Sequence, residues 1–219
     1  MVLKLYSVPY ASAGCGLVAM VLAEKQRPFE LIVIDIPNKD HKTAEYIAKH
    51  PFGQVPVIDD DGFVLYESRA ICRYLAEKYA AQGTALIPTG LKEKALVEQA
   101  ASVEFANFLP SVTKVGMESI GKHRHNLPVD EAALAQAVSE LAEKLDVYEV
   151  ILAKQKFIGG NDFTLADIFH LYHAPLLAEG GIKIMTSEDR PNVTRWWNDV
   201  ISRPTWVQLK ADGIKSIAI

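Results

Sequence analysis

The sequence predicts an α/β plus all-α fold, in which a small domain with a mixed four-stranded sheet precedes a bundle of helices. Strand-like and helix-like patterns alternate up to about residue 82, whereas every later pattern has helical periodicity. The chain has 219 residues, which is enough for two small domains. We therefore expect a sheet domain at 1–82, a linker at 83–90 and an all-helical domain at 91–219.

Seven short segments give the first domain the order βαβ followed by αββα. Strand patterns cover 2–6, 29–34, 55–59 and 63–66, and helical patterns cover 14–25, 43–49 and 68–79. A strand–helix–strand unit of this length implies a parallel pair of strands. Asp60-Asp61-Gly62 is typical of a hairpin turn between the last two strands. Together these features predict a mixed sheet.

Four apolar stretches with helical spacing make up the second domain. They cover 91–109, 131–152, 165–177 and 193–203, and Pro204 should stop the last one. Thr164 and Asp167 have the spacing of a capping box, which would start the third helix. Asp167, His170 and His173 also lie three residues apart, as metal ligands can. Without a fourth ligand we expect no metal there.

Composition excludes several classes of function. The net charge of −4 comes from 23 basic and 27 acidic residues without a basic stripe, so we expect no nucleic-acid partner. No apolar run approaches the roughly 18 residues that cross a membrane. Cys15 and Cys72 are too few for a disulfide framework, and a reducing cytoplasm is the expected compartment.

Two separated strings point to a ligand. Pro56 interrupts an apolar strand pattern, so either it begins an edge strand or the Val55–Pro56 bond is cis. Glu67 and Ser68 fall where a strand ends and a helix begins, and Ser68 has the chemistry of a helix cap. If Ser68 only caps the helix and no ligand binds there, Glu67 has no role. A ligand that carries both an amine and a carboxylate would explain the pair, because helix N-termini favour anions.

These strings resemble the glutathione transferase family. Gln54-Val55-Pro56 followed by Glu67-Ser68-Arg69-Ala70-Ile71 resembles its glutathione-binding half, and Asp40-His41-Lys42 upstream resembles its phi-like class from plants and fungi. The segments 161–168 and 196–204 extend the likeness over nearly the whole chain. The resemblance implies a thioredoxin-like first domain, a cytoplasmic homodimer with a role in detoxification, and glutathione as co-substrate without another cofactor.

The same resemblance implies roles for particular residues. The backbone of Val55, beside Pro56, would pair with the cysteinyl part of glutathione. The γ-glutamyl end would meet Glu67 and Ser68, with a further side-chain contact from Gln54, and the glycyl carboxylate would meet His41 and Lys42.

The thiol of glutathione must be activated, and the start of the first helix is the expected place. The phi-like pattern has a Ser-Thr pair there, whereas this chain has Ala11-Ser12-Ala13-Gly14-Cys15-Gly16. Aligned from the first residue, the family serine falls on Ala11; aligned backward from Glu24-Lys25, it falls on Ser12. We favour Ser12 as the catalytic residue, with Ser7 as the second candidate. Cys15 is either a small packed helix residue or a thiolate, since cysteines near helix N-termini can have a lowered pKa.

The second substrate is expected in a cleft between the two domains. Five residues are candidates for its apolar lining, although such stripes also form ordinary cores: Tyr10, Phe105, Phe108, Val112 and Val115. The predicted function is conjugation of glutathione to hydrophobic electrophiles, with reduction of organic hydroperoxides as a further activity. The alternatives are a ligand carrier with weak catalysis and a thiol-transferase that depends on Cys15.

Overall fold

The computed structural model of the protein describes residues 2–216, which fall into two compact units. The first unit extends to Ile87 and also contains the residues from Arg203 onward, and the second unit is Pro88–Ser202. Within residues 2–216, no helix is both long enough and apolar enough to cross a membrane.

A four-stranded mixed sheet forms the first unit, as the sequence predicts. Its strands are β1 (Leu3–Ser7), β2 (Phe29–Val33), β3 (Val57–Asp60) and β4 (Phe63–Tyr66), in the spatial order β2-β1-β3-β4. β1 runs parallel to β2, with Leu3 opposite Phe29, while β3 is antiparallel to both β1 and β4. Of the two alternatives for Pro56, the structure has the second: the Val55–Pro56 bond that leads into β3 is cis, and β3 is not an edge strand.

Three helices and a short turn accompany the sheet. They are α1 (Ala13–Glu24), a 3-10 turn at Asp40–Lys42, α2 (Ala44–Ile47) and α3 (Ser68–Lys78). α1 packs against α3 and is buried along nearly its whole length, including the apolar residues Leu17, Val18, Val21 and Leu22. A helix buried on all sides has little freedom to shift, so its first turn is held firmly.

The second unit consists of helices. They are α4 (Leu91–Val103), α5 (Leu109–Gly116), α6 (Lys122–Arg124), α7 (Glu131–Leu152), α8 (Leu165–Phe169), α9 (Ala174–Glu179) and α10 (Pro191–Ile201), with a 3-10 turn at Ile184–Thr186. Two π-helical segments, Glu104–Phe108 and Met117–Gly121, join α4, α5 and α6 into one continuous helical run. Asp130 caps α7, because its side chain accepts hydrogen bonds from the first-turn amides.

The predicted helix at 165–177 is interrupted. Residues 170–173 form turns between α8 and α9, and Pro175 is the second residue of α9. Because proline lacks a backbone donor and clashes with the preceding turn, it is tolerated at the start of a helix but not in its interior. The single predicted helix is therefore two.

The capping box at the start of α8 is confirmed. Thr164 occupies the cap position, and its backbone N–H donates to the Asp167 carboxylate at 2.9 Å. The same fully buried carboxylate accepts from the Ile158 N–H at 3.1 Å and the Trp196 indole at 2.8 Å. The neighbouring His170 ring contacts the Tyr148 hydroxyl at 3.0 Å. These groups are engaged in joining helices, and within the described ranges no cluster of three His, Cys, Asp or Glu residues has a metal-binding arrangement.

An additional helix, α11 (Pro204–Asp212), follows Pro204, where the sequence predicts only a stop. Here proline opens a helix. α11 packs against α1 and belongs to the first unit, not to the predicted helical domain at 91–219. The reason is a buried charge: Arg203 donates to both oxygens of the Glu24 carboxylate, at 2.8 and 2.7 Å, and Thr205 donates to it as well.

Candidate functional site

Three segments of the first unit meet at the start of α1. A β-carbon built on Gly14 would lie 2.8 Å from Ser68 Cβ and 3.2 Å from Pro56 Cδ. The first turn of α1 is therefore in close contact with both the residue that opens α3 and the proline that precedes β3. This close approach brings the predicted Ser12, Val55 and Ser68 into one neighbourhood.

Ser12 lies at the cap position of α1 with its hydroxyl left unused by the helix. Its backbone is extended, with φ −135° and ψ 153°, and its side chain makes no capping hydrogen bond. Its N–H donates to the Tyr10 carbonyl at 2.9 Å, and its carbonyl accepts from the Gly16 N–H at 3.0 Å. The residue is half-buried. The hydroxyl is thus available beside the positive end of a helix, where an anion is favoured.

Ser7 and Cys15, the other two candidates for activating the glutathione thiol, are buried. The Ser7 hydroxyl is fully buried and donates to the Val8 carbonyl at 2.9 Å. Cys15 is also buried, and this burial raises the pKa of its thiol, although hydrogen bonds with Ser7 and Val8 lower it in part. A buried thiol with a raised pKa is poorly suited to forming a nucleophilic thiolate. Among these candidates, Ser12 has the accessible hydroxyl.

Glu67 occupies the corner between β4 and α3 in an unusual conformation. Its φ is 70° and its ψ is 108°, and Glu67, not Ser68, holds the cap position of α3. The predicted cap role of Ser68 is therefore wrong, because Ser68 is the first helical residue. A non-glycine residue in such a region costs about 1–3 kcal/mol and is typical of binding sites. The exposed Glu67 carboxylate stands next to first-turn amides that have no acceptor within the helix.

The side chain of Lys42 holds the backbone of the loop Pro51–Pro56. The Lys42 ammonium donates to the carbonyls of Phe52 and Gly53, at 3.1 and 2.8 Å. Gly53 has φ +57°, and a β-carbon there would lie 2.6 Å from the His41 carbonyl. Lys42, predicted to meet a carboxylate, therefore uses two of its three N–H groups to support the loop and retains one.

Tyr46 and His50 hold the same loop, although sequence reasoning did not select them. The Tyr46 hydroxyl donates to the Gln54 carbonyl at 2.8 Å. The buried His50 accepts the Phe52 N–H at its Nδ1 atom, at 3.3 Å. Both partners are backbone atoms, which leave no mark in a sequence. The only available signal is that Tyr46 and His50, two polar rings, lie in the short segment between α2 and the loop or at the end of α2 itself.

The remaining predicted binding residues lie on or beside this loop. The Gln54 side chain is exposed, Val55 is half-buried and Pro56 is buried. His41 is half-buried, and its Nδ1 atom is buried without a hydrogen-bond partner within the described part of the chain. A buried polar atom of this kind is expected to have a partner, which a ligand carboxylate could provide.

The five predicted pocket residues divide into two groups. Tyr10 and Phe105 are 56% and 59% exposed, whereas Phe108, Val112 and Val115 are buried. The Phe108 ring packs against Tyr148 and His170, with centroid distances of 5.8 and 4.7 Å. Burial favours a core role for these three residues, and contact with a second substrate stays a prediction for the whole set.

Comparison with known protein families is consistent with this geometry. The family model for the N-terminal domain of glutathione S-transferase matches residues 11–78, and the model for its C-terminal domain matches residues 108–204. The first match contains the start of α1, the Pro51–Pro56 loop and the β4–α3 corner.

Individual relatives match over nearly the full length. Glutathione S-transferase hmp2 from Hypomyces subiculosus is 40% identical over 97% of this chain and 100% of its own. Glutathione S-transferase F9 from Arabidopsis thaliana is 36% identical over 96% of this chain and 97% of its own. The crystal structure of glutathione transferase F2 from Populus trichocarpa superposes with a TM-score of 0.88 at 35% identity, covering 96% and 100% of the two chains. The chain therefore belongs to the glutathione S-transferase family, in its phi-like class.

Proposed function

We propose that this glutathione transferase activates the glutathione thiol with Ser12 and holds the tripeptide along the Pro51–Pro56 loop and the β4–α3 corner. The observation that carries the proposal is the uncommitted Ser12 hydroxyl at the start of α1, a turn that is packed directly against Ser68 and Pro56.

The binding residues supply charges that match both ends of glutathione. The Glu67 carboxylate suits the γ-glutamyl ammonium, and the Ser68 amide and hydroxyl suit the adjacent carboxylate. The remaining Lys42 N–H and the buried His41 Nδ1 atom, which has no partner among the described residues, suit the glycyl carboxylate. The backbone of Val55 would pair with the cysteinyl residue as a neighbouring strand does, and Gln54 would contact the γ-glutamyl end.

The energy that thiol activation requires is small enough for one hydroxyl and one helix end. A free thiol has a pKa near 8.5, and lowering it by about two units requires about 2.7 kcal/mol. A hydrogen bond to a charged group contributes about 1.5–3 kcal/mol, and a helix N-terminus adds about 0.3–1 kcal/mol. Ser12 as donor, together with α1, can therefore maintain a useful fraction of thiolate at neutral pH.

The reaction is a substitution at an electrophilic carbon. The glutathione thiol releases its proton to water, the thiolate sulfur forms a bond to the electrophilic carbon, and that carbon loses its leaving group with the bonding electron pair. With a chloronitrobenzene, chloride is the leaving group. We propose hydrophobic acceptors, which the exposed rings of Tyr10 and Phe105 support.

Two Ser→Ala variants test the catalytic assignment. We expect Ser12→Ala to raise the pKa of enzyme-bound glutathione by about one to two units, because the thiolate loses its donor. Conjugation of a chloronitrobenzene at neutral pH should fall by about tenfold or more. The bound thiolate is measured by its ultraviolet absorbance over a pH series.

Ser7→Ala is the matched control, since it removes the other candidate hydroxyl. We expect that variant to leave the pKa of bound glutathione unchanged. Unchanged conjugation by Ser12→Ala would refute the assignment, and glutathione binding without conjugation by the unaltered protein would favour the ligand carrier.

We also propose that the protein is a cytoplasmic homodimer. Both described cysteines are free thiols, as a reducing compartment requires. Large apolar side chains remain exposed on each unit, including Phe52 at 67% and Leu91 at 84%, and apolar surface of this kind is often covered by a second subunit. Light scattering should give twice the mass of one chain.

A further inference from the structure

His50 has no place in the proposed catalytic or binding set, yet it is among the most buried polar residues of the first unit, with 2% of its surface exposed. It directly precedes the Pro51–Pro56 loop. Its carbonyl accepts the Gly53 N–H at 2.8 Å, and its ring accepts the Phe52 N–H at 3.3 Å. One residue therefore supports two successive amides of the loop.

The His50 ring is fixed in one orientation. It stacks on the Tyr66 ring with a centroid distance of 4.6 Å and an interplanar angle of 27°, and the Phe52 ring meets it edge-on at 6.1 Å. Tyr66 is the last residue of β4 and directly precedes Glu67. The ring thus links the loop that holds the cysteinyl part of glutathione to the corner that holds the γ-glutamyl part.

Accepting the Phe52 N–H requires an unprotonated Nδ1 atom, so the ring must be neutral. The groups that face it are the Glu67 carboxylate at the cap of α3, the Lys42 ammonium on the 3-10 turn and the Tyr66 ring on β4. Burial lowers the pKa of His50, the Glu67 charge opposes this change, and the Lys42 charge adds to it. The net effect is a lowered pKa of His50, which favours the neutral ring.

We propose that His50 is a positioning residue for glutathione, and that its protonation weakens glutathione binding. This inference rests on the proposed function, because it assumes that the Pro51–Pro56 loop and Glu67 hold the tripeptide. Protonation acts in two ways. It removes the acceptor of the Phe52 N–H and so loosens the loop, and it places a cation beside Glu67 that competes with the ammonium of glutathione.

Both effects act on binding and not on the reacting sulfur, because His50 contacts the loop backbone and Tyr66. The KM for glutathione should therefore rise as the pH falls below the ordinary range of histidine, while kcat at saturating glutathione follows the thiol alone. A residue that only stabilised the fold would not separate these two quantities.

The test compares the unaltered protein with His50→Asn and His50→Leu. An asparagine side chain can accept an N–H two residues later, as His50 does, but it does not titrate. Leucine fills similar space without an acceptor. We expect His50→Leu to raise the Kd for glutathione by about 5- to 20-fold at about pH 7.5. His50→Asn should stay within about threefold of the unaltered protein there.

The pH profile decides the second half of the proposal. Between about pH 7.5 and about pH 5, the Kd of the unaltered protein should rise at least about threefold more than that of His50→Asn. Calorimetric titration with glutathione gives each Kd, and circular dichroism verifies the fold of each variant. Parallel pH profiles of these two proteins would overturn the proposal, as would full affinity in a folded His50→Leu. If His50→Leu does not fold, the comparison with His50→Asn still decides.

Glu67→Gln separates this proposal from the proposed function. If Glu67→Gln binds glutathione as tightly as the unaltered protein at about pH 7.5, the proposed binding site itself is wrong. If Glu67→Gln binds weakly while the His50 variants behave like the unaltered protein, only the role of His50 is wrong.

Discussion

Gly14 leaves no room for a side chain, because a β-carbon there would lie 2.8 Å from Ser68 Cβ. We expect Gly14→Ala to separate α1 from α3, to lower the free energy of unfolding by about 1–3 kcal/mol and to weaken glutathione binding. Urea unfolding and glutathione titration measure the two effects.

Gly116 provides the control for this substitution. It is helical, with φ −61°, and a β-carbon there would meet nothing within 4 Å. Gly116→Ala should stabilise the protein by about 0.5–1 kcal/mol, since alanine loses less backbone entropy on folding. Equal stability changes in the two variants would contradict the packing argument.

A substitution of Glu67 should weaken glutathione binding without lowering the stability of the fold. The Glu67 φ of 70° suits glycine better than glutamate. Glu67→Gly should therefore leave stability unchanged or raise it by up to about 2 kcal/mol, because relief of strain exceeds the entropy that glycine adds to the unfolded chain. The Kd for glutathione should rise by about tenfold or more through loss of the carboxylate. Thermal unfolding and calorimetry together measure both changes, and a clear loss of stability would argue against strain.

At the scale of elements, the capping box joins α8 to α10 through one carboxylate. Removing it in Asp167→Ala leaves the buried donors of Ile158, Thr164 and Trp196 without their acceptor. Because each unsatisfied buried group costs about 1–3 kcal/mol, we expect a loss of at least about 3 kcal/mol in urea unfolding. Asp162→Ala, at an exposed position in the bend before α8, should change stability by less than about 0.5 kcal/mol. Similar losses in both variants would show that the carboxylate has no special role.

Element boundaries could be predicted where sequence periodicity and caps agree. The pattern at 131–152 coincides with α7, and Phe63–Tyr66 coincides with β4. Proline caused two of the larger errors, because Pro175 and Pro204 open helices that follow directly on other turns of helix. A sequence pattern indicates that a helix ends near a proline, but it does not indicate whether a new helix begins at that proline. A third error is the helix predicted at 91–109, which continues through two π-helical segments to Arg124.

The site could be predicted where function depends on side-chain identity, and not where it depends on the backbone. The strings around Val55 and Glu67 predict a ligand site, and Pro56 and Ser68, the residues that follow them, both lie close to Gly14. The conformation of Glu67 and the loop contacts of Tyr46 and His50 depend on main-chain atoms. Every residue type provides those atoms, so the sequence contains little trace of them.

At the scale of the whole molecule, Glu24 makes stability depend on pH. Burial raises the pKa of this carboxyl, but hydrogen bonds from Arg203, Thr205 and Thr84 and the charge of Arg203 outweigh burial, so the net pKa is lowered. A carboxyl with a lowered pKa stabilises the fold above its unfolded-state pKa, and this contribution is lost as the pH falls through its folded-state pKa.

We therefore expect Glu24→Gln to lose about 2–4 kcal/mol at neutral pH, and the difference from the unaltered protein to shrink below about pH 4.5. Urea unfolding over a pH series measures this change. Glu45→Gln is the control, because Glu45 is exposed and its pair with Lys49, at 3.6 Å, should contribute less than about 1 kcal/mol. A difference between the unaltered protein and Glu24→Gln that stays constant with pH would contradict the assignment.

α11 belongs to the first unit, although the second unit precedes it in the chain. This arrangement limits which fragments and chimaeras of the protein should be stable. A fragment that ends at Ile87 would contain the complete sheet and every proposed glutathione contact, yet its Glu24 carboxylate would lack Arg203 and Thr205. A chimaera made by one crossover between Ile87 and Pro88 would pair α1 of one parent with α11 of the other. Such exchanges should succeed mainly between parents that share this acid–base pair, or when two crossovers transfer residues up to 87 together with those from 203 onward.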